Sequence, residues 1–513
     1  MSNSIRNKLV LTGFLALKFV LQYSLIAPEY ELHRDEFLHL DLGKHLAWGY
    51  QSVPPFISWT SSLIDMLGNS VFWVKFFPAL FGALTILVVW KTIRALGGNL
   101  FALSLGAAAV LFSALLRMNT LYQPNSFDVL CWASFYFVII KYFQDKRPKW
   151  LFAAAAVFAL GFLNKYNIVF LLLGLFPAIL LTPHRKMFMR KEFYWALLLG
   201  TVLILSNLLW QYTNDFPVVH HLKELSENQL NNVNRWDFLR SQLLFFAGGV
   251  FVIIAGLYAL IAWKAFDKYR AFLWAFVFTL VIFLIFKAKD YYAMGLYPVY
   301  ITFGAVYLEQ LLVSGQKRYM RPAALLFPVL LFLPLYDVAF PNRHPQEIAA
   351  HPEKYEKLGL LRWEDGQDHR LPQDFADMLG WKELAKKVDS VYNGLSNPEQ
   401  TLVITDNYGQ AGAINFYTEQ DLKAVSFNAD YVNWFDLERP YLNLIRVKIY
   451  TEEEEELNTV GPFFDSAELA DSIENPFSRE YRTRIFVFSG ARVDLNEKVK
   501  EFLQKEPAYR GKD

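Results

Sequence analysis

A ladder of apolar runs between residues 9 and 340 constrains this chain more than any other feature. Stretches close to the length that a helix needs to cross a bilayer core recur near 9–27, 72–92, 100–116, 127–143, 150–164, 166–182, 193–212, 240–263, 271–286, 291–312 and 322–340. In hydrocarbon every backbone N–H and C=O needs a partner inside the protein, so such segments fold as helices. The pattern predicts a polytopic α-helical membrane protein with about eleven transmembrane helices. The fifth and sixth runs are short and Asn164-Lys165 interrupts them, so a single kinked segment is the alternative there. Arg6 and Lys8 precede the first run as in a signal peptide. No small-residue cleavage site follows, and the run reads as an uncleaved first helix.

Past residue 340 the composition becomes that of an ordinary soluble domain. The chain therefore divides into a membrane domain, 1–340, with a first loop at 28–71, and an α/β domain, 341–513. In the latter, "TLVITDNYGQAGAINFY" reads as strand, turn and helix, and "LIRVKIY" and "TRIFVF" read as strands. Helices are predicted near 372–393 and 494–505, and "TEEEEEL" reads as a solvated charged segment. Lys and Arg together number 50 against 49 Asp and Glu, which excludes the basic excess a nucleic-acid partner demands. Cys131 is the only cysteine, so no intrachain disulfide forms.

Basic residues set the orientation. Lys91 and Arg94, then Lys146, Arg147 and Lys149, then Arg185, Lys186, Arg190 and Lys191, then Lys264, Lys268 and Arg270, then Lys317, Arg318 and Arg321 all fall in alternate connections. That side, which includes the N-terminus, is expected to be cytoplasmic. An odd number of spans then puts the C-terminal domain outside, together with the first loop, the 117–128 turn, the His220-His221 loop and "KAKDYY".

Ionisable groups gather on this outer side. "YELHRDEFLHLDLGKHLAWGY", directly after the first run, holds Glu31, His33, Arg34, Asp35, Glu36, His39 and Asp41. Asp35 and His39 stand one helical turn apart, and Phe37, Leu38, Leu40, Leu42 and Leu46 give the segment an apolar side that suggests an interfacial helix ending near Pro54-Pro55. Arg117, Asp128, Lys165, Lys287, Lys289 and Asp290 join this side, with Tyr291 and Tyr292 next in sequence. Taken singly, each is an ordinary interface anchor. Together they suit a cavity in which cations hold a lipid-linked phosphate and a carboxylate takes a proton from a hydroxyl acceptor.

The "DE" of the first loop followed by "GYQSVPPFISW" resembles bacterial family-39 glycosyltransferases, members of the GT-C superfamily related to protein O-mannosyltransferases and the lipid A aminoarabinose transferase. "QPNSFDVLCW", "LNKYNIVF", "KAKDYYAMGLYPVY" and "TDNYGQAGAINFY" follow in the matching order, so the resemblance covers most of the chain. It implies inverting transfer of a sugar from a polyprenyl-phosphate donor to a lipid, protein or glycan acceptor at the outer face of the cytoplasmic membrane. By resemblance Asp35 is the catalytic base, with Glu36 its companion and Asp128 a second acidic position. Lys287, Tyr291 and Tyr292 fall where relatives approach the donor phosphate, with Lys165 and Arg117 as further cations.

Ser52 and Val53 stand where relatives often carry charged residues before the Pro-Pro pair, which weighs against a metal site carried over from them. A divalent ion on His33, His39, His220 or His221 with Glu36 has no diagnostic spacing, so no required metal is expected. Asp406, Asn407 and Tyr408 read as a scaffold turn, with a contact to the acceptor as the lesser alternative. Two rival functions are a transporter or flippase of a lipid-linked saccharide and a non-catalytic sensor. The absence of an internal repeat and the one-sided charge weigh against the first. The loop carboxylates have no task in the second.

Overall fold

The computed structural model describes residues 3–228, 234–449 and 452–505. The membrane domain comprises α1 (Asn3–Ser24), α2 (Arg34–Leu42), α3 (Phe56–Met66), α4 (Val71–Ala95), α5 (Leu100–Leu111), α6 (Ala114–Met118), α7 (Asn125–Asp145), α8 (Lys149–Asn164), α9 (Ile168–Leu180), α10 (Lys191–Thr213), α11 (Pro217–Asn228), α12 (Arg235–Phe245), α13 (Val250–Ala262), α14 (Arg270–Ile285), α15 (Tyr297–Leu311) and α16 (Arg321–Ala339). A helix lies within each of the eleven apolar runs. Among the described residues, five helices are long and apolar enough to cross a membrane, and seven if each of two bent pairs counts as one span. The bends are 110° after α9 and 69° between α12 and α13. α8 and α9 are separate helices, divided at Lys165.

Burial grades across the bundle. The α7 span is 78% buried inside the protein, against 17% for α10 and 11% for the α16 span. α10 turns Leu197, Leu198, Val202 and Leu205 outward. An uncovered apolar face of this extent is stable only against lipid, and this defines a polytopic membrane protein. Helices α13 and α15 approach so closely that a Cβ on Gly304 would collide with the Val252 carbonyl, and one on Gly256 with the Tyr300 carbonyl. Small residues at the crossing permit the backbone contact that holds helices together in lipid.

The basic connections share one end of the bundle. Lys146 Nζ lies 2.6 Å from His184 Nδ1, and the other His184 ring nitrogen lies 2.7 Å from the Lys268 carbonyl. Arg190 donates to the Lys146 carbonyl at 2.9 Å, and Gln144 to that of Ala95 at 2.8 Å. Four connections assigned to one side from charge alone thus meet one another.

The C-terminal domain is built on a five-stranded sheet, β1 (Thr401–Thr405), β2 (Ala424–Ser426), β3 (Asn443–Lys448), β4 (Phe464–Ser472) and β5 (Arg484–Ala491), in the order β2-β1-β3-β5-β4. β1 runs parallel to β2 and β3, and β5 is antiparallel to β3 and β4. Strands β2 and β4 are additions to the sequence reading. Alternation along β1 sends Leu402 and Ile404 to a core that includes Leu495 and Val499, and Val403 to a core shared with Trp381 and Ile414. The helix predicted at 372–393 is two helices, Gln373–Ala376 and Trp381–Asn393, parted at Gly380, whose φ of 87° suits glycine alone. The acidic run is also revised. It forms a helix, Glu453–Val460, whose buried Glu456 faces Arg446 of β3 at 3.0 Å.

The first loop departs most from expectation. α2 ends at Leu42 rather than near Pro54, and Glu36 through Leu42 are all buried. It is no surface helix in the interface. Leu32, Phe37, Leu38, Leu40 and Leu42 enter one core with Trp381, Leu384 and Ile414 of the C-terminal domain. The apolar side assigned to lipid is taken by protein, which removes the same area from water.

A candidate active site at the junction of the two domains

Asp35 stands in the first turn of α2, where helix N-termini favour negative charge. His33 caps this helix. Its Nδ1 accepts the Asp35 N–H at 3.2 Å, and Glu36 Oε2 accepts the His33 N–H at 2.7 Å, a reciprocal capping box. Asp35 Oδ1 accepts from the Tyr408 hydroxyl at 2.7 Å and Oδ2 from Gln123 Nε2 at 3.1 Å. The Arg34 guanidinium lies 4.7 Å from the Tyr408 ring centre. Burial works against charge on Asp35, but His33, Arg34 and the Tyr408 hydroxyl outweigh it and hold the carboxyl below its ordinary value. His39, one turn on, is pushed down to about 4 by burial, so it is neutral at pH 7.

The three candidate carboxylates differ sharply in access. The Asp35 side chain is 36% exposed. Glu36 is fully buried and saturated: both oxygens lie 2.8 Å from Lys75 Nζ, and Oε1 also accepts the Tyr122 N–H at 2.6 Å. Lys75 donates in addition to the Thr120 carbonyl at 2.9 Å. Glu36 therefore ties α2 to α4 and to the turn before α7. Asp128, on α7, is 4% exposed and accepts from Trp132 Nε1 at 3.2 Å and Asn167 Nδ2 at 2.9 Å.

Three of the candidate donor-side residues come together. Lys165 Nζ donates to Asn125 Oδ1 at 2.6 Å and lies 4.3 Å from the Tyr292 ring centre and 5.1 Å from that of Tyr291. Asn167 also donates to the Tyr292 carbonyl at 3.0 Å, so one amide joins Asp128 to the tyrosine pair. Tyr291 lies within electrostatic range of Asp35, and Lys165 within that of His39 and Lys289. Lys287 sits at the turn leading to this pair, with φ of 48°. Arg117 is held elsewhere. It donates to the Ala339 carbonyl at 2.8 Å and to Thr120 Oγ1 at 2.7 Å, and its remaining nitrogen faces Asp374 at 3.9 Å. It joins the end of α16 and the C-terminal domain to the membrane bundle.

The segment Asp406-Asn407-Tyr408 splits between its two readings. Asp406 accepts the Ile449 N–H at 2.8 Å and pairs with Lys448 at 3.0 Å, while Asn407 caps the helix Tyr408–Tyr417 by accepting the Gln410 N–H at 3.0 Å. Those two are scaffold. Tyr408 instead reaches the candidate base. Gly409 and Gly412 allow this, because a Cβ at either would press on α2: on Arg34 at 3.2 Å, or on Phe37 at 2.6 Å. The glycine spacing in "YGQAG" was the available signal for a close helix contact, though nothing in it named the partner. Sequence reasoning missed Lys75, Gln123, Asn125 and Asn167 as site residues altogether. Among the described residues no group of three His, Cys, Asp or Glu side chains is placed to hold a metal ion.

The family profile described as dolichyl-phosphate-mannose-protein mannosyltransferase matches residues 52–210. The lipid A galacturonosyltransferase RgtD of Rhizobium johnstonii is 25% identical over 330 residues, 59% of this chain and 68% of that protein. The crystal structure of ArnT from Cupriavidus metallidurans bound to undecaprenyl phosphate superposes with a TM-score of 0.60 at 14% identity, covering 94% of this chain and 98% of ArnT. Its apo form gives 0.58 over the same shares, again at 14% identity. The fold is of the GT-C type. Both domains of the chain take part in that likeness, so the junction that surrounds Asp35 lies inside the shared architecture.

Proposed function

We propose that this protein transfers a sugar, with inversion, from a polyprenyl-phosphate carrier to an acceptor hydroxyl at the outer face of the cytoplasmic membrane. The matched profile, the galacturonosyltransferase relative and the GT-C fold support the reaction class. The same relative supports an envelope glycolipid as acceptor. The meeting of the basic connections at the opposite end of the bundle supports an extracytoplasmic C-terminal domain and a cytoplasmic N-terminus. The eleven-helix count is kept as part of the proposal, with the two bent pairs, the short apolar helices α5 and α8, and also α1 and α15 counted as spans beside the five long ones.

One observation carries the assignment of the base: of the three candidate carboxylates, only Asp35 combines exposure with an environment that keeps it ionised. The acceptor O–H gives its proton to Asp35 while its oxygen bonds to the anomeric carbon from the face opposite the carrier. The bond from that carbon to the phosphate oxygen breaks, and the carrier phosphate departs with the electron pair. A phosphate leaving group needs no protonation, so one accessible carboxylate suffices. Lys165, with Tyr291 and Tyr292 beside it, and Lys287 from the turn before them stabilise charge on the departing phosphate. Asn167 holds Asp128 where it faces Lys165, and Glu36 fixes α2 through Lys75. Arg117 acts from the domain junction rather than on the phosphate.

Asp35→Asn is expected to lower transfer from a labelled polyprenyl-phosphate sugar by about 10²-fold or more, the range of a lost general base, while expression and donor binding persist. Full activity of that variant, or retention of anomeric configuration in the product by NMR, would overturn the reading. So would movement of intact donor across vesicles without sugar transfer.

A further inference from the structure

A concavity lies in the C-terminal domain, apart from the groups around Asp35. It is an open cleft of about 1030 Å³ between the segment 349–371 and the loop 476–482 that precedes β5. Arg362, Arg370, Arg479 and Arg482 line it, beside Trp363 and Tyr481. Arg479 is engaged, with Asp377 at 3.2 Å and Glu364 at 4.0 Å. Among the described residues, Arg362, Arg370 and Arg482 form no ion pair, although Arg482 packs 5.2 Å from the Tyr481 ring centre. Among the described residues the walls carry two carboxylates, Glu356 and Asp368, so even with Arg479 taken up by Asp377 and Glu364 the cleft keeps a positive excess. Guanidinium groups stay charged at every accessible pH, and their planar forks match carboxylate and phosphate. Tyr481, 36% exposed, and the half-buried Phe477 add apolar surface of the kind the C–H face of a pyranose covers.

We propose that this cleft binds an anionic saccharide, a sugar bearing phosphate or carboxylate, and serves as a recognition site for the acceptor's polar headgroup. Its purpose rests on the transfer reading, but its chemistry does not. The cleft also abuts the candidate base through a short chain of contacts. Arg479 holds Asp377, whose Oδ2 lies 3.7 Å from His33 Nε2, and His33 Nδ1 lies 3.9 Å from Asp35 Oδ2. An anion that engages Arg479 competes with Asp377 for the same guanidinium. Acceptor binding is thereby felt at the group that orients Asp35.

Titration calorimetry on the intact protein in phosphatidylcholine nanodiscs tests the idea. The probes are a galacturonate tetramer, a glucosamine disaccharide carrying two phosphates, and neutral chitotetraose. At least one anionic probe is expected to bind tenfold or more tightly than chitotetraose, with an affinity that falls as salt rises. Whichever arm wins identifies the charged group. Arg362→Glu with Arg370→Glu is expected to cost at least tenfold. Arg362→Gln with Arg370→Gln, which keeps polar side chains at these exposed positions, is expected to cost at least threefold. Parity between anionic and neutral probes, or wild-type affinity in the folded Gln pair, overturns the proposal. Asp35→Asn should keep the preference for anionic over neutral probes here while losing transfer, and loss of both would mean that the cleft is no separate site. Intact cleft binding in a wild-type protein that transfers no sugar would overturn the transfer reading alone.

Discussion

At the scale of single residues, charge placement decides function more than identity does. Asp35, Glu36 and Asp128 are the same kind of acid in three different settings, and only the first faces outward. Tyr408 donates to ionised Asp35, so Tyr408→Phe removes a bond that favours the charged form. The acid limb of kcat/KM should therefore move to higher pH in that variant, which a pH–rate series will read; an unmoved limb would mean that Asp35 is not the titrating base. Asp430 is a second case. Its Oδ1 accepts the Gln51 N–H at 3.0 Å, its Oδ2 has no partner, and burial pushes its carboxyl up to about 6. A folded value above the ordinary one means that stability falls as pH rises through that window and stays lower above it. Asp430→Asn keeps the Oδ1 contact and removes the charge. Its thermal midpoint should match wild type near pH 4 and exceed it above pH 6, by an amount on the order of 2–3 kcal/mol in stability.

At the scale of elements, α2 is the organising piece. It is short and carries three acidic residues, Asp35, Glu36 and Asp41. Asp41 accepts from Tyr431 and Asn415, both at 2.7 Å, so the C-terminal domain holds each end of the helix. Glu36 binds the other side to α4. Lys75→Ala would leave Glu36 buried without its counter-charge, and is expected to cost about 3–5 kcal/mol. Adding Glu36→Gln should restore part of that loss, and a double-mutant cycle by thermal unfolding measures the coupling. Additive single effects would show that the pair does not act as a unit. Much of this element was legible in the sequence: the crowd of ionisable groups and the helix both were. Its burial was not, because an apolar stripe looks the same whether lipid or protein covers it. The cover came from Trp381 and Ile414, more than 300 positions away.

At the scale of the molecule, the two domains are joined through the site rather than beside it. Glu31 Oε2 accepts the Trp381 N–H at 2.7 Å, and Ala27 donates to the Pro341 carbonyl at 2.8 Å, so the chain closes on itself around the first loop. A chain truncated after residue 340 should lose transfer and become open to proteolysis between residues 28 and 70, as mass spectrometry of limited digests will reveal. Protection equal to the full chain would separate the loop from the domain.

Local pattern was enough to give the membrane bundle, the change of composition at residue 340, the sidedness of the basic connections and the carboxylates worth testing. These follow from local periodicity and from the cost of exposing backbone or charge to hydrocarbon, which act over a few helical turns. It took the folded chain to reveal that Lys75 neutralises Glu36, that Arg117 bridges domains, and that Tyr408 meets Asp35 across 373 residues. Such pairings depend on which surfaces pack together. Packing depends on shape summed over many side chains, and no local pattern records it.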